Sequence, residues 1–291
     1  MTIPERVREH CAAVAASARH VSIDLEAAAE IKAGLDPVLD PELHYLDGSR
    51  EDVAAYMLTL DTINFGSGWF PTLRKPSGVS GYHTVARALA ERFREVGSWS
   101  PTELRAIDSA ELAEVFGQDG RHELMALYAD ALRSLGSFLA GRTALEVIEG
   151  VAGSAVRLAE VLAAGMPFFD DVGFWKRAQI AANDLALAGV TEFDDLHELT
   201  IFADNVVPHV LRVDGVLVYD GPLSGDIERG DPIPAGSAKE VEIRACAVHA
   251  CVHIARELDV AERILDTWLW DRGQEPRYKT VPRHRTRTVY Y

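Results

Sequence analysis

One acidic side chain, that of Asp204, stands where the surrounding sequence would favour another hydrophobic residue. It follows the mainly apolar run 199–203 and precedes Pro208, which opens a second apolar run. Because proline is favoured in the first turn of a helix, a helix is predicted from Pro208 to about Leu211 or Val213. Asp204 is then either a capping aspartate just ahead of a helix, or a catalytic carboxylate whose pKa is tuned by partial burial in an apolar cleft.

A lysine and two amide side chains share one face of a helix predicted earlier in the chain. This helix covers 175–185, with Gly189 as its C-cap, and Lys176, Gln179 and Asn183 recur on it at helical spacing. Long charged side chains usually face solvent, but the aromatic and alanine-rich flanks favour burial. Two interpretations follow: a solvated face, or an inward face that brings a lysine and two amides to a ligand.

The stretch 60–70 alternates polar residues with aromatic residues and glycines after the end of a predicted helix. Phe65 and Trp69 offer flat apolar surfaces, and the glycines allow close approach of a ligand. Asp61 and Asn64 can read donor and acceptor edges of that ligand. This composition is typical of a pocket wall, and equally of a loop whose aromatic residues anchor it in the core.

The carboxy-terminal part of the chain combines aromatic and charged side chains in two clusters. A predicted helix carries the cluster 266–271, and the closing segment 282–291 is basic and aromatic in an otherwise acidic protein. A tail this basic could be disordered, but its β-branched and aromatic finish favours packing onto the protein, where its arginines or histidine could meet a phosphate. The candidate ligand-binding residues of the two clusters are Trp268, Asp271, His284, Arg285 and Tyr290.

Several charged side chains are interpreted as solvated. Arg177 and Asp184, on the helix that carries the lysine and two amides, are expected to face solvent. Ser237 and Glu240 form a predicted capping box at the start of a later helix. Glu240 and Arg244 are spaced i,i+4 on that helix, which usually indicates a solvated ion pair.

Apolar residues recur at helical spacing along most of the chain, so we predict a mostly α, compact multi-helix fold. One strand-like run, 215–220, allows at most a short β element, and the segment 222–236 has the composition of a surface turn region. No repeat or low-complexity linker interrupts the pattern, which favours a single domain over 1–291, as one body or as two packed helical lobes with the active site between them. The main predicted helices cover 3–18, 25–34, 84–94, 101–115, 121–139, 142–164, 175–185 and 238–258.

The composition excludes several classes of function. The 291 residues carry a formal net charge of -16, which argues against a nucleic-acid polymer as partner because such binding surfaces are normally basic. One local basic cluster could still hold the phosphate of a small nucleotide. The amino end lacks the pattern of a secretion signal and no apolar run could span a bilayer, so a cytoplasmic protein is expected. The three cysteines and ten histidines show no metal-ligand spacing, and Cys246 and Cys251 are interpreted as core residues.

Six stretches, in order along the chain, resemble the queuosine salvage family, whose members are queuosine 5′-phosphate N-glycosylases. The resemblance runs from near residue 20 to the last residue, so it covers almost the whole chain. The six stretches are 61–65, 175–179, 201–204 together with Pro208, 240–244, 269–271 and 284–291.

The resemblance implies a fold similar to the helix-hairpin-helix DNA glycosylases and hydrolysis of queuosine 5′-phosphate to queuine and ribose 5-phosphate, with no cofactor expected. It implies that Asp204 is the catalytic carboxylate and that Lys176 keeps it ionised or contacts the nucleotide. Asp61 and Asn64 would read the guanine-like edge of the base, while Phe65 or Trp69 stacks on its face. Two other functions stay open: an N-ribosyl hydrolase for another purine-like nucleotide, and a non-catalytic binding protein for the modified base.

Overall fold

Helices dominate the computed structural model, which describes residues 1–32, 34 and 37–291. The prediction of a mostly α fold is confirmed, and no helix in these ranges is long and apolar enough to cross a membrane. The helices of the first half are α1 (Ile3–Ser17), α2 (Leu25–Ala29), α3 (Arg50–Thr62), α4 (Gly81–Val96), α5 (Pro101–Ala106), α6 (Ser109–Val115), α7 (Glu123–Leu139) and α8 (Ala144–Glu149). The later helices are α9 (Ala155–Gly165), α10 (Lys176–Leu187), α11 (Val207–Val213), α12 (Gly221–Arg229), α13 (Ala238–Leu258), α14 (Glu262–Arg272) and α15 (Pro276–Lys279).

Two short strands form the β structure of the described residues. Strand β1 (Val21–Ile23) pairs antiparallel with β2 (Leu217–Tyr219), and Val21 lies opposite Tyr219. The predicted β element near 215–220 is therefore confirmed. Its partner was not predicted because three residues between two helices carry too little alternation to indicate a strand.

Two predicted helices are each divided into two by an internal cap. The range 101–115 forms α5 and α6, because Asp108 accepts hydrogen bonds from two amides and starts a new helix. The range 142–164 forms α8 and α9, with Ser154 capping the second of them. The apolar spacing continues across both breaks, so periodicity alone does not reveal them.

Two other segments differ from their predictions: one helix is shorter than predicted, and one predicted turn region is partly helical. The helix predicted over 25–34 ends at Ala29, and residue 33 of that range lies outside the described residues. The segment predicted as a surface turn region, 222–236, instead begins within α12. Asp220 caps this helix and Pro222 occupies its first turn, where proline is favoured.

The core is continuous across the described helices, and two packing centres organise it. Helix α13 packs against α1, α11 and α14, while α10 packs against α3 and α9. Cys11, Cys246 and Cys251 are buried free thiols, so the prediction that Cys246 and Cys251 are core residues is confirmed. One domain over 1–291, the two lobes and the likeness to helix-hairpin-helix glycosylases stay predictions.

The closing segment 282–291 packs onto the protein as an extended chain. Ile233 N donates to Arg285 O at 2.8 Å. Gly68 allows close approach, because a Cβ there would lie 2.3 Å from Thr286 O. Alternate side chains enter the core, as expected for extended backbone. The buried residues of the segment are His284, Thr286, Thr288 and Tyr291.

Arg177 is buried, so the prediction that it faces solvent is wrong. Its side chain is only 1% exposed. The guanidinium donates to the carbonyl oxygens of Thr62, Phe168 and Val289. Three acceptors from distant parts of the chain replace its hydration, and no local pattern indicates them.

Glu240 also faces the protein interior, which corrects two predictions. Ser237 caps α13, but the carboxylate of Glu240 accepts from Gly236 N at 3.1 Å and from the Tyr291 hydroxyl at 3.0 Å, so the capping box is not formed. Glu240 lies 3.5 Å from Arg244 Nη1, and both side chains are buried. The predicted solvated ion pair is thus an internal pair that anchors the closing segment.

Candidate active site

A cavity of about 700 Å³ opens between the end of α3, the start of α4, α10, the segment before α11, α14 and the closing segment. This volume lies in the range of small-molecule sites, roughly 300–1,000 Å³. Carboxyl groups, cations, amides and aromatic rings all contribute to the wall. The residues predicted for the site that line this cavity are Asn64, Phe65, Lys176, Asp204, Asp271 and Arg285.

Asp204 lies on the cavity wall and is held by the first amides of α11. Its Oδ1 accepts hydrogen bonds from Val206 N at 2.7 Å and from Val207 N at 3.1 Å. Helix α11 begins at Val207, one residue ahead of its predicted start, and Pro208 takes the second position. These two hydrogen bonds fix the position of the Asp204 carboxyl group on the wall. Asp204 is therefore an acceptor at a helix start, as the capping interpretation predicts, and it also lies on a cavity wall. Its catalytic role stays a prediction.

Two buried side chains fix the backbone that leads to Asp204. Asp266 Oδ1 accepts from Phe202 N at 2.8 Å, and Arg244 Nε donates to Ala203 O at 2.9 Å. Because Asp266 and Arg244 are buried, water competes little for these hydrogen bonds. Helices α13 and α14 thus position the Asp204 carboxylate together with α11.

Lys176 is the first residue of α10, and its side chain is 4% exposed on the cavity wall. Its Nζ donates to Asn64 O at 3.4 Å and forms no ion pair within 4.0 Å in the described part of the chain. Burial lowers the pKa of this amine, and the nearby carboxylates of Asp204 and Asp61 act in the opposite direction. The amine is therefore close enough to influence Asp204 without being bound to it.

The backbone just ahead of Lys176 takes a left-handed conformation. Trp175 has a φ of 45°, which costs a residue other than glycine about 1–3 kcal/mol. Its ring is held by the Arg6 guanidinium, 4.4 Å from the ring centroid, and its Nε1 donates to Asp170 at 3.1 Å. These contacts fix the direction in which α10 starts, and with it the position of Lys176.

Two further buried carboxyl groups, those of Asp184 and Asp266, line the cavity without having been predicted to act there. Asp184 was predicted to face solvent, and that prediction is wrong because its side chain is buried and accepts from Asn183 Nδ2 at 3.1 Å. Burial raises the pKa of Asp184 to about 6 and the pKa of Asp266 well above its usual range. The cavity therefore contains two acids that hold a proton more tightly than a solvated carboxyl group does, in addition to Asp204.

Aromatic rings from α4 and α14 meet at one part of the wall. The ring centroid of Trp270 lies 5.6 Å from that of Tyr82 and 5.7 Å from that of His83, both edge to face. The Tyr82 hydroxyl lies 3.0 Å from His44 Nε2. Asp271 follows Trp270 on the wall, and desolvation raises the pKa of its carboxyl group. Rings next to an acid suit a flat base that bears a polar or cationic substituent.

Cations line another part of the wall. None of them forms an ion pair within 4.0 Å among the residues that the structure describes. Burial lowers the pKa of Arg283, and the carboxylate of Asp204, which lines the same cavity, acts in the opposite direction. Unpaired cations in a cavity are suited to an anionic group such as a phosphate. Besides Lys176, the lysine and arginine residues on the wall are Lys75, Lys279, Arg283 and Arg285.

Three predicted site residues from α3, its following loop and α10 lie behind the wall. Asp61 is fully buried, and its Oδ1 accepts from Asn64 Nδ2 at 3.5 Å. Trp69 donates from Nε1 to a carboxylate of α7 at 2.7 Å. Gln179 Oε1 accepts from Thr200 N at 3.0 Å, ahead of the segment that carries the catalytic candidate. These residues support the wall without lining it.

Three predicted residues from the carboxy-terminal clusters also lie outside the lining. Trp268 is 8% exposed and packs against Gly34. His284 is buried, and burial lowers the pKa of its imidazole to about 3, so it is neutral at pH 7 and cannot attract a phosphate by charge. Tyr290 is partly buried in the closing segment, next to a tyrosine that does line the cavity.

The alternating side-chain directions of an extended segment could have predicted that Arg283, which was not predicted as a site residue, lines the cavity. In an extended segment, neighbouring side chains point to opposite faces, so a core position for His284 places Arg283 and Arg285 together on the other face. No comparable signal separates Trp270 from Trp268, because both faces of α14 contact other parts of the protein.

The sequence profile described as Queuosine salvage protein matches residues 43–291. The chain belongs to the queuosine salvage family. All the cavity-wall residues named above lie inside the matched range. The family predicted from the six sequence stretches is thereby confirmed.

Relatives that cover nearly the whole chain bear the name queuosine 5′-phosphate N-glycosylase/hydrolase. One from Sphaerobacter thermophilus is 36% identical, over 96% of this chain and 95% of its own length. One from Dictyostelium discoideum is 30% identical, over 98% of both chains. One from Mus musculus is 27% identical, over 99% of both. This queuosine salvage protein therefore matches them from end to end and not through one shared segment.

Proposed function

We propose that this queuosine salvage protein hydrolyses the N-glycosidic bond of queuosine 5′-phosphate and releases queuine and ribose 5-phosphate. The observation that carries the proposal is the carboxylate of Asp204, held by two amides on a cavity wall that also bears aromatic rings and unpaired cations. The names of the full-length relatives support the same reaction. The substrate is a free nucleotide, because a net charge of -16 disfavours a nucleic-acid polymer.

Asp204 acts on the ribose. Breaking the bond between ribose and base builds positive charge at the anomeric carbon, which a nearby carboxylate stabilises. The same carboxylate orients the attacking water and accepts its proton. Lys176, buried on the same wall, supplies a cation that can stabilise the negative charge of Asp204 or contact the nucleotide.

The aromatic part of the cavity takes the base. Tyr82, His83 and Trp270 provide flat surfaces for a 7-deazaguanine, and Asn64 reads its polar edge from a position that Asp61 supports. Queuine carries a secondary amine that is expected to be cationic. Asp271, beside Trp270 on the wall, is placed to pair with that amine.

The cationic part of the cavity takes the 5′-phosphate. Arg283 and Arg285 offer guanidinium groups that keep their charge and can bind phosphate oxygens in pairs. Lys75 and Lys279 add positive potential from neighbouring parts of the wall. Arg283 and Asp204 line the same cavity, so one ribose 5-phosphate bound there could meet both.

The direct test incubates the purified protein with queuosine 5′-phosphate and follows the products by mass spectrometry. Release of queuine and ribose 5-phosphate in equal amounts is expected. Guanosine 5′-phosphate, assayed in parallel, distinguishes the alternative of a hydrolase for ordinary purine nucleotides. Tight binding of queuine without release of ribose 5-phosphate would identify a non-catalytic binding protein and would contradict the proposal.

A further inference from the structure

The departing base needs a proton, and the roles proposed so far do not supply one. Cleavage leaves an electron pair on the base, and a 7-deazaguanine has carbon at the position where a purine accepts a proton on N7. Asp204 as an anion has no proton to give. We propose that the carboxyl group of Asp266 is the general acid that protonates the leaving base, an inference that rests on the hydrolysis proposed above.

The geometry of Asp266 suits a proton donor. Its side chain is 5% exposed and lines the same cavity as Asp204. Oδ1 accepts from Phe202 N, two residues before Asp204, so the group is held in place while Oδ2 is left to carry a proton. Asp266 forms no ion pair within 4.0 Å in the ranges that the structure describes. One backbone hydrogen bond without a cation does not offset the cost of burying a charge.

The groups around Asp266 favour its neutral form. Asp204, ahead of α11, and Asp184, on α10, are acids, and both act to raise the pKa of Asp266. Lys176 acts in the opposite direction, but burial has the largest effect and the pKa lies well above its usual range. From α13, the thiol of Cys251 also faces this acid, and its own pKa is raised by burial and by Asp266. A buried acid whose neutral form is favoured and the Asp204 carboxyl group, held by two backbone amides, thus lie in one cavity, and glycoside hydrolysis uses a pair of carboxyl groups in this way.

The proposed step balances as follows. The bond between the anomeric carbon and the base nitrogen breaks, and its electron pair goes to the base. The proton on Asp266 Oδ2 moves to that nitrogen or to an atom conjugated with it, which leaves Asp266 ionised and the deazaguanine ring of queuine uncharged, while the charge on its secondary amine does not change. Water adds to the anomeric carbon and gives its proton to Asp204. Transfer of this proton to Asp266 through solvent restores both groups, so the net reaction consumes one water.

The test compares two leaving groups in the full-length Asp266→Asn variant. Asparagine keeps an oxygen that can accept from Phe202 N but cannot act as the acid. For queuosine 5′-phosphate we expect kcat/KM to fall by about 100-fold or more. For 4-nitrophenyl riboside 5-phosphate, whose nitrophenolate leaves without a proton, the change should stay within roughly 3-fold. The matched control is Asp184→Asn, a buried acid of the same cavity, which should affect both substrates alike.

The pH profile gives a second measurement that does not need the activated substrate. Because the acid must be protonated, wild-type kcat/KM should fall on the alkaline side as Asp266 ionises, and Asp266→Asn should lack this limb. Equal losses for both leaving groups, or an alkaline limb that survives the substitution, would overturn the assignment. Absence of queuine release by the wild-type protein would instead contradict the proposed hydrolysis. If the wild type is active and Asp266→Asn is fully active too, the acid role of Asp266 is contradicted and the proposed hydrolysis still stands.

Discussion

Two walls of the cavity differ in how the fold holds their charged groups. The helical wall, comprising α10, α14 and the segment 202–206, carries carboxyl groups that, apart from the exposed Asp271, are buried or bonded to backbone amides. The tail wall, the segment 282–291, carries cations on extended backbone, between side chains that enter the core. The acids are thus individually tuned by their surroundings, whereas the cations share one face of a strand-like chain.

The contrast indicates which property each wall controls. Burial raises the pKa of Asp184 and Asp266, so the fold decides which carboxyl groups of the helical wall carry a proton. Arginine keeps its charge at any physiological pH, so Arg283 and Arg285 on the tail wall supply a constant positive potential. We expect changes on the helical wall to alter the rate and its pH dependence, and changes on the tail wall to alter the affinity for phosphate.

The largest effect is expected for Asp204→Asn on the helical wall. Asparagine can still accept from Val206 N and Val207 N, but it cannot stabilise the positive charge at the anomeric carbon or take a proton from water. The single-turnover rate for queuosine 5′-phosphate should fall by ~10³-fold or more with little change in affinity. Asp220→Asn is the matched control, because Asp220 also accepts an amide at a helix start and does not line the cavity. A near wild-type rate in folded Asp204→Asn would contradict the role of Asp204.

A smaller and different effect is expected for Arg283→Gln on the tail wall. Loss of a cation from the phosphate site should raise KM for queuosine 5′-phosphate by roughly 10- to 100-fold and leave kcat within a few-fold. The effect should nearly vanish with the unphosphorylated nucleoside, where no phosphate is bound. Arg287→Gln, on the same segment but not on the cavity wall, should leave KM unchanged. A loss in kcat alone would mean that the two walls do not divide their tasks in this way.

Local sequence rules were sufficient for features that depend on neighbouring residues. Helix α13 has its predicted bounds of 238–258, because apolar spacing and the cap at Ser237 agree. The position of Asp204 just ahead of a helix also follows from Pro208. On α10, Lys176 and Asn183 share the inward face that their spacing allows.

Features that depend on distant contacts could not be predicted in the same way. Arg177 is buried because its guanidinium donates hydrogen bonds to three carbonyl oxygens from other parts of the chain. Glu240 is buried because its carboxylate accepts a hydrogen bond from the hydroxyl of Tyr291. The cavity side of α14, which presents Asp266 and not Trp268, is set by packing against other helices. The composition of these stretches indicated that they could bind a ligand or act in catalysis. Which of their side chains face the cavity depends on the tertiary fold and could not be predicted from local sequence.

The smallest effect, on stability, is expected for Asp184→Asn on the helical wall. Burial raises the pKa of Asp184 from 3.8 to about 6, so the folded state holds this proton more tightly than the unfolded state. The resulting stabilisation is fully present below pH 3.8 and is lost as the pH rises through 6. Asparagine has no proton to lose, so the free energy of unfolding of the variant, relative to wild type, should be higher at pH 8 than at pH 4.5, by on the order of 1–3 kcal/mol. Denaturant titrations at both pH values measure this difference, and Glu228→Gln, at an exposed site, controls for loss of one carboxyl group. An equal difference at both pH values would mean that Asp184 ionises as readily as a solvated acid. The proposed contrast, in which burial sets the protonation of acids on the helical wall while the cations of the tail wall keep their charge, would then fail.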